Sequence, residues 1–284
     1  MAKGPALFVL SALLALRAAA GPVSTNPAPD YAQIGTLDQA AGRTAIEQFR
    51  EAGLPPSYME FVLRFLPRRG DERSVRGRLW ADRNERGPVL RIVLDPGAAD
   101  ERRWLLQIGP QSTAWRRDGD GITRPAEMLD PLWDGWEITP FDLEMPFMAL
   151  TWPDETLVSV NRVNGRPANT FLFRPPAAFA ASHPEIGAVR AYFDTELNAP
   201  GETELLSPTG RVLKSWVLLD WKKVSGTGIP KQFDVRNEAT HDKTRFDVTG
   251  AAVNLPRSPA FFEPDRLSDE GNPPRPAGFA DFGN

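Results

Sequence analysis

The 284-residue chain has no cysteine and only two histidines. The first absence removes disulfides, thiolate metal ligands and a lipidated N-terminal cysteine, so the chain is not itself a lipoprotein of the bacterial type. The second leaves His183, before Pro184 in an irregular link, and His241, in a polar turn. A serine triad needs a histidine beside a placed Ser and Asp. No G-x-S-x-G elbow supports one, and no H-E-x-x-H supports a zinc site. The glycines of 225–228 precede a strand and not a helix, which excludes a phosphate loop. Asp118 and Asp120 lack the rest of a calcium loop and read as a turn. No cofactor or metal is called for. Beyond the first residues, no apolar run is long enough to span a bilayer.

The N-terminus carries a different signal. Lys3, an apolar run over 6–16 and the small residues Ala18-Ala19-Ala20 follow the order of a secretory signal, with cleavage before Gly21. The run is short for a membrane helix, but Arg17 keeps an uncleaved N-terminal anchor as the alternative. The chain divides into a signal peptide (1–20), a flexible lead-in (21–36), one domain (37–267) and a loose C-terminal tail rich in Pro, Gly and Asp (268–284). Without residues 1–20, 31 basic residues face 37 acidic ones, a net charge of −6. That is not a nucleic-acid binder's profile. Residues 64–117 hold thirteen arginines against seven acids, and residues 118–155 hold ten acids and one base. Either the elements simply have differently solvated faces, or the acidic segment folds over the basic sheet.

Most of the chain alternates apolar and polar residues with period two. After an amphipathic helix starting at 36–38, with Leu37, Ala41, Ala45, Phe49 and Ala52 at helical spacing, strands are expected over 58–66, 74–82, 89–94, 103–108 and 112–117. Further strands follow over 157–163, 168–174, 189–194, 203–206 and 211–213. Asn164-Gly165-Arg166 reads as a tight hairpin turn, and 175–187 as an irregular link. Residues 215–254 then form a meander of three long strands, turning at 225–228 and 239–243. The total is about eleven strands, mostly joined as antiparallel meanders, in a mainly β (α+β) chain.

Residues 123–150 break this grammar. They have no period-two pattern, are broken by Pro131, Pro140 and Pro146, and have a dense apolar content that includes three of the five methionines. Short helices covering one side of the sheet are expected. A core-covering helix pair is the plain account. A concave pocket under a mobile lid is the other, and flexible thioethers suit a surface that repacks around varied apolar partners. The eight tryptophans suit a core, a lipid cavity or a sugar platform.

The run Ile138-Thr-Pro-Phe-Asp-Leu-Glu-Met-Pro-Phe147 resembles a segment of outer-membrane lipoprotein-sorting proteins, the LolA/LolB-like carriers. Gly228-Ile-Pro-Lys231 entering a strand and Asp242-Lys-Thr-Arg-Phe246 opening the next are also similar, and the likeness extends over about residues 37–267. The resemblance implies a large curved antiparallel sheet, an incomplete β-barrel, wrapped around an N-terminal helix and a helical insert. It also implies a hydrophobic cavity for lipid or lipoprotein acyl chains, and a periplasmic, non-enzymatic, monomeric carrier working with inner- and outer-membrane sorting machinery. Without a lipidated cysteine the chain resembles the soluble carrier and not the anchored receptor. The proline-rich insert departs from the pattern and leaves the lid geometry open. The ligand-side candidates are Phe61, Leu63 and Phe65 on the first strand, with Trp133, Trp136, Phe141, Met145 and Phe147 in the insert. The Gly228–Lys231 and Asp242–Phe246 corners are read as structural and not as ligand contacts. Two alternatives stay open: an envelope-stress regulatory sensor of the same fold, and a cell-wall glycan-binding protein or hydrolase using acid pairs from 118–155.

Overall fold

The computed structural model describes residues 33–52, 55–163, 165–269 and 275–283. The expected signal peptide, nearly all of the lead-in and Asn164 of the hairpin turn lie outside them. The helix α1, Gln39–Ala52, starts where Asp38 accepts the backbone N–H groups of Ala40 and Ala41 at 3.0 Å, as an N-cap does. Its inward face is Gly42, Ala45, Ile46 and Phe49, while Leu37 and Ala41 lie exposed. The stripe is thus rotated from the expected one. The side chain of Leu157 presses on Gly42, which gives the small residue the inner position.

The strands form one antiparallel sheet, mainly β as expected, with fourteen strands among the described residues. The first half comprises β1 (Ser57–Leu66), β2 (Arg73–Asn84), β3 (Gly87–Leu94), β4 (Arg102–Gln107), β5 (Thr113–Arg117) and β6 (Thr123–Ala126). The second comprises β7 (Asp154–Val163), β8 (Arg166–Arg174), β9 (Ala188–Asp194), β10 (Ala199–Leu206), β11 (Val212–Val224), β12 (Thr227–Asn237) and β13 (Lys243–Val253). Each half is a meander, and β1 joins β13 where they meet, so β6 and β7 are the two edges. The segment between them, 127–153, therefore runs from one edge of the sheet to the other. It contains α2 (Pro140–Glu144), a 3-10 turn (Met145–Phe147) and α3 (Met148–Thr151).

Four expectations change. Residues 123–126 are an edge strand, although Pro125 interrupts the pattern there; an edge tolerates a missing donor. The link 175–187 contains α4, Ala177–Ser182, whose Phe179 stacks on Phe141 at 5.6 Å. The strands expected at 211–213 and 215–224 are one strand, β11. A loose tail does not describe 275–283, where β14, Ala280–Asp281, pairs with β13.

The inner face of the sheet carries the main core, shared with the insert and α1. The outer face of the first half is covered too. Residues 255–269 lay Phe262 and Leu267 over Tyr58, Trp80, Val93 and Leu105. Arg91, fully buried, clamps this strap by donating to the carbonyls of Phe261 and Asp269 at 3.1 and 3.0 Å. This double coverage explains why β3 is buried almost end to end and why its alternation is weak.

Candidate functional site

The insert's local structure follows from its sequence. Thr139 is the N-cap of α2, Pro140 opens the helix, and Asp142 completes a capping box by accepting the Thr139 N–H at 2.8 Å. Proline at this position loses no bond the helix would make, and the box satisfies two orphan donors. The resemblance-bearing run beginning Ile138-Thr-Pro-Phe-Asp thus acts as a helix start.

Polar pins hold the insert to the sheet. Trp104 donates its indole N–H to the Leu132 carbonyl at 3.1 Å, and Arg102 grips Asp134 with two bonds, at 2.8 and 2.5 Å. Lys214 reaches from β11 to the Glu137 carbonyl (2.6 Å) and the buried Asp142 (2.8 Å). Ser112 donates to Glu144 at 2.7 Å. Burial pushes the Glu144 carboxyl up to about 7, against the hydrogen bonds from Ser112 and Thr151. The contrast between a basic sheet and an acidic segment is only partly used. Asp134 and Asp118 pair with Arg102 and Arg116, whereas Asp120, Asp142 and Glu155 pair with Arg124, Lys214 and Arg50.

Between the inner face and the insert lies a cavity of about 500 Å³, within the usual range for small-molecule sites. Met59, Leu79, Ala81 and Leu90 wall it from the first half of the sheet, and Trp216, Phe233, Phe246 and Val248 from the second. Leu143, Pro146 and Phe147 close it on the insert side, and Phe49 of α1 completes that wall. Its floor is a row of rings: Phe246 stacks on Phe233 at 4.7 Å, and Phe233 lies 5.0 Å from Trp216. Leu218, Trp221, Lys223, Gly228, Ile229 and Pro230 form the part of the wall built by the β11–β12 hairpin.

The structure distributes the expected site residues unevenly. Phe147 lines the cavity. Phe61 lies behind the floor, stacked on Phe246 at 4.1 Å. Leu63 and Phe65 follow along the same inner face, and Phe65 stacks on Trp136 at 5.8 Å. Trp136 is buried there, with Arg73 over Phe65 (4.8 Å) and bonded to the Gly135 carbonyl (3.1 Å). Trp133 is half-buried under the Arg102 guanidinium, 4.8 Å from its ring. Phe141 faces α4 and Trp152, and Met145 is buried within the insert core. The latter seven therefore pack beside the cavity and do not line it.

Sequence reasoning placed the hairpin's turn but did not assign the hairpin, or Phe246, to the site. The corners read as structural, Gly228-Ile229-Pro230 and Phe246, are cavity wall. The missed signal is a change of alternation in β11. A bulge at Leu219 shifts the pairing from Leu218↔Phe233 to Asp220↔Gln232, and Lys231 is then skipped on β12. Trp216 and Leu218 face inward before the bulge, Trp221 and Lys223 after it, as an extra residue reverses which parity faces in. Of the eight tryptophans, five are buried and only Trp221 is exposed. The His183 ring lies 4.6 Å from that of Phe179, tilted by 46°, and His241 sits in a turn at φ 61°. Among the described residues, no group of three His, Cys, Asp or Glu is placed to hold a metal, and no helix is long and apolar enough to cross a membrane.

This architecture is the LolA-like fold. A DUF1329 family protein from Desulfovibrio piger superposes with a TM-score of 0.69 at 15% identity, covering 82% of this chain and 100% of its own. A putative outer membrane lipoprotein-sorting protein domain from Vibrio parahaemolyticus gives 0.65 at 15% identity, covering 78% of this chain and 97% of its own. A LolA superfamily protein from Nitrosomonas europaea gives 0.60 at 12% identity, covering 81% of this chain and 99% of its own. No family model matches the sequence, and no curated protein matches it. At these identities the likeness is one of fold.

Proposed function

We propose that the protein is a non-enzymatic carrier that holds the acyl chains of a lipid or lipoprotein in the cavity between sheet and insert. The observation that carries this reading is the cavity wall, in which every side chain but one is apolar or aromatic. Each methylene buried there is worth about 0.8 kcal/mol, so an alkyl chain needs no further chemistry to bind. The fold neighbours include a protein described as a lipoprotein-sorting domain, and the secretory signal read at 1–20 fits work in the periplasm. Membrane sorting machinery would then supply and accept the cargo.

Native mass spectrometry of gently purified protein tests the reading. The expected result is uptake of an acylated peptide or fatty acid, with loss of uptake in Val248→Trp, which puts an indole into the space Val248 borders. A clean unliganded mass in every case, with no uptake of any acyl ligand, would sink the proposal.

A further inference from the structure

Among the described residues, the wall of the cavity carries a single ionisable side chain, Lys223. Its position follows from the bulge. Without the extra residue at Leu219, the inward parity of Trp216 and Leu218 would continue to Asp220 and Lys222. With it, Asp220 leaves the cavity wall and binds Lys231 at 3.1 Å, and Lys223 joins the wall beside Trp221. The neighbouring Lys222 instead places its ammonium 5.0 Å over the Phe282 ring. Among the described residues, no carboxylate lines the cavity to neutralise Lys223.

Lys223 also stands at the mouth. The pairing of β10 with β11 stops at Val217, and that of β12 with β13 begins at Gln232. Residues 218–231 therefore project as a two-stranded flap, closed by a tight turn with Ser225 and Gly226 both at positive φ. On this flap Trp221 is 43% exposed and Leu219 39%, and Leu197 opposite is 42% exposed. An apolar interior thus ends in an amphipathic aromatic and, at the water boundary, a cation with no partner among the described residues. Aromatic and lysine side chains match an amphiphile's interface in this way, with the ring at the boundary and the ammonium beyond it.

We infer that the cavity takes an anionic amphiphile, with the alkyl chain inside and a carboxylate or phosphate head at Lys223 Nζ. This rests on the carrier reading and narrows it, since a lone cation gives no advantage to an uncharged head. A fatty acid and a phospholipid share that charge.

Binding of four ligands by the purified exported protein tests the inference: palmitate, methyl palmitate, a monoacyl phosphatidylglycerol and a monoacylglycerol. Each anion is expected to bind about fivefold tighter than its uncharged counterpart, the scale of one partly exposed charge pair. The tighter of the two anions identifies the natural head. Lys223→Met should bring each pair to parity, and Lys223→Arg should keep the preference. Equal binding of charged and uncharged ligands by the unaltered protein would overturn the inference. So would a preference that survives Lys223→Met, or one lost equally in Lys222→Met. Failure of all four ligands to bind would overturn the carrier reading itself.

Discussion

At the residue scale, single close contacts set the inner face. Phe61 lies flat over Gly77, its cross-strand partner, and a side chain at Gly77 would begin 2.2 Å from the ring. The ring is held from its other face by Phe246. Gly77→Ala is therefore expected to lower stability by about 2 kcal/mol through overpacking, read as a lower urea midpoint at unchanged slope. Lys214 is the other sensitive contact. It is the cation paired with Asp142, whose Oδ1 is buried without a partner. Lys214→Met leaves that carboxylate buried and unpaired, at a cost of about 3 kcal/mol. The double variant Lys214→Met/Asp142→Asn should recover part of that loss, and chemical denaturation of the three variants checks it. Of these contacts, only the inward face of Phe61 was legible in the alternation of β1. Nothing in the sequence singled out Gly77 or the ring that covers it.

At the element scale, the insert is several short helical pieces pinned between strands. Its short helices were readable, although the local signals of their start, a capping box and an opening proline, went unread. Its route was not, since Pro125 hides an edge strand and the pins come from residues as distant as Lys214. Glu144 makes this element sensitive to pH. Its carboxyl is raised to about 7 from 4.5 by burial, so the folded protein keeps a proton that the unfolded chain releases. Its contribution is fully present below the unfolded value, falls as pH rises, and is lost above about 7. The total loss is about 3 kcal/mol. Glu144→Gln removes this ionisation. Denaturation series from pH 4 to pH 8 should give a flatter stability profile for the variant, with the largest difference from the parent at pH 8. Parallel profiles would show that Glu144 ionises in the fold as it does in water.

At the scale of the whole molecule, two meanders joined at β1 and β13 make one open sheet, and the insert crosses its inner side from edge to edge. A ligand bound inside touches both halves and the insert, so it should stabilise the whole fold. An acyl ligand at a hundred times its dissociation constant is expected to add about 2.7 kcal/mol, seen as a higher thermal midpoint. No such shift is expected in Val248→Trp. The sequence by itself determined the class: antiparallel meanders, an N-terminal helix and an apolar insert, because period-two alternation, turn residues and helix caps are local signals. It also singled out Phe147, which lines the cavity. Only the tertiary structure decided which apolar face is wall and which is filling, because both are written in the same residues. The bulge at Leu219 shows this most plainly. One extra residue turns Trp221 and Lys223 inward and Asp220 out, and that exchange is fixed by the pairing of β11 with β12, not by the composition of either strand.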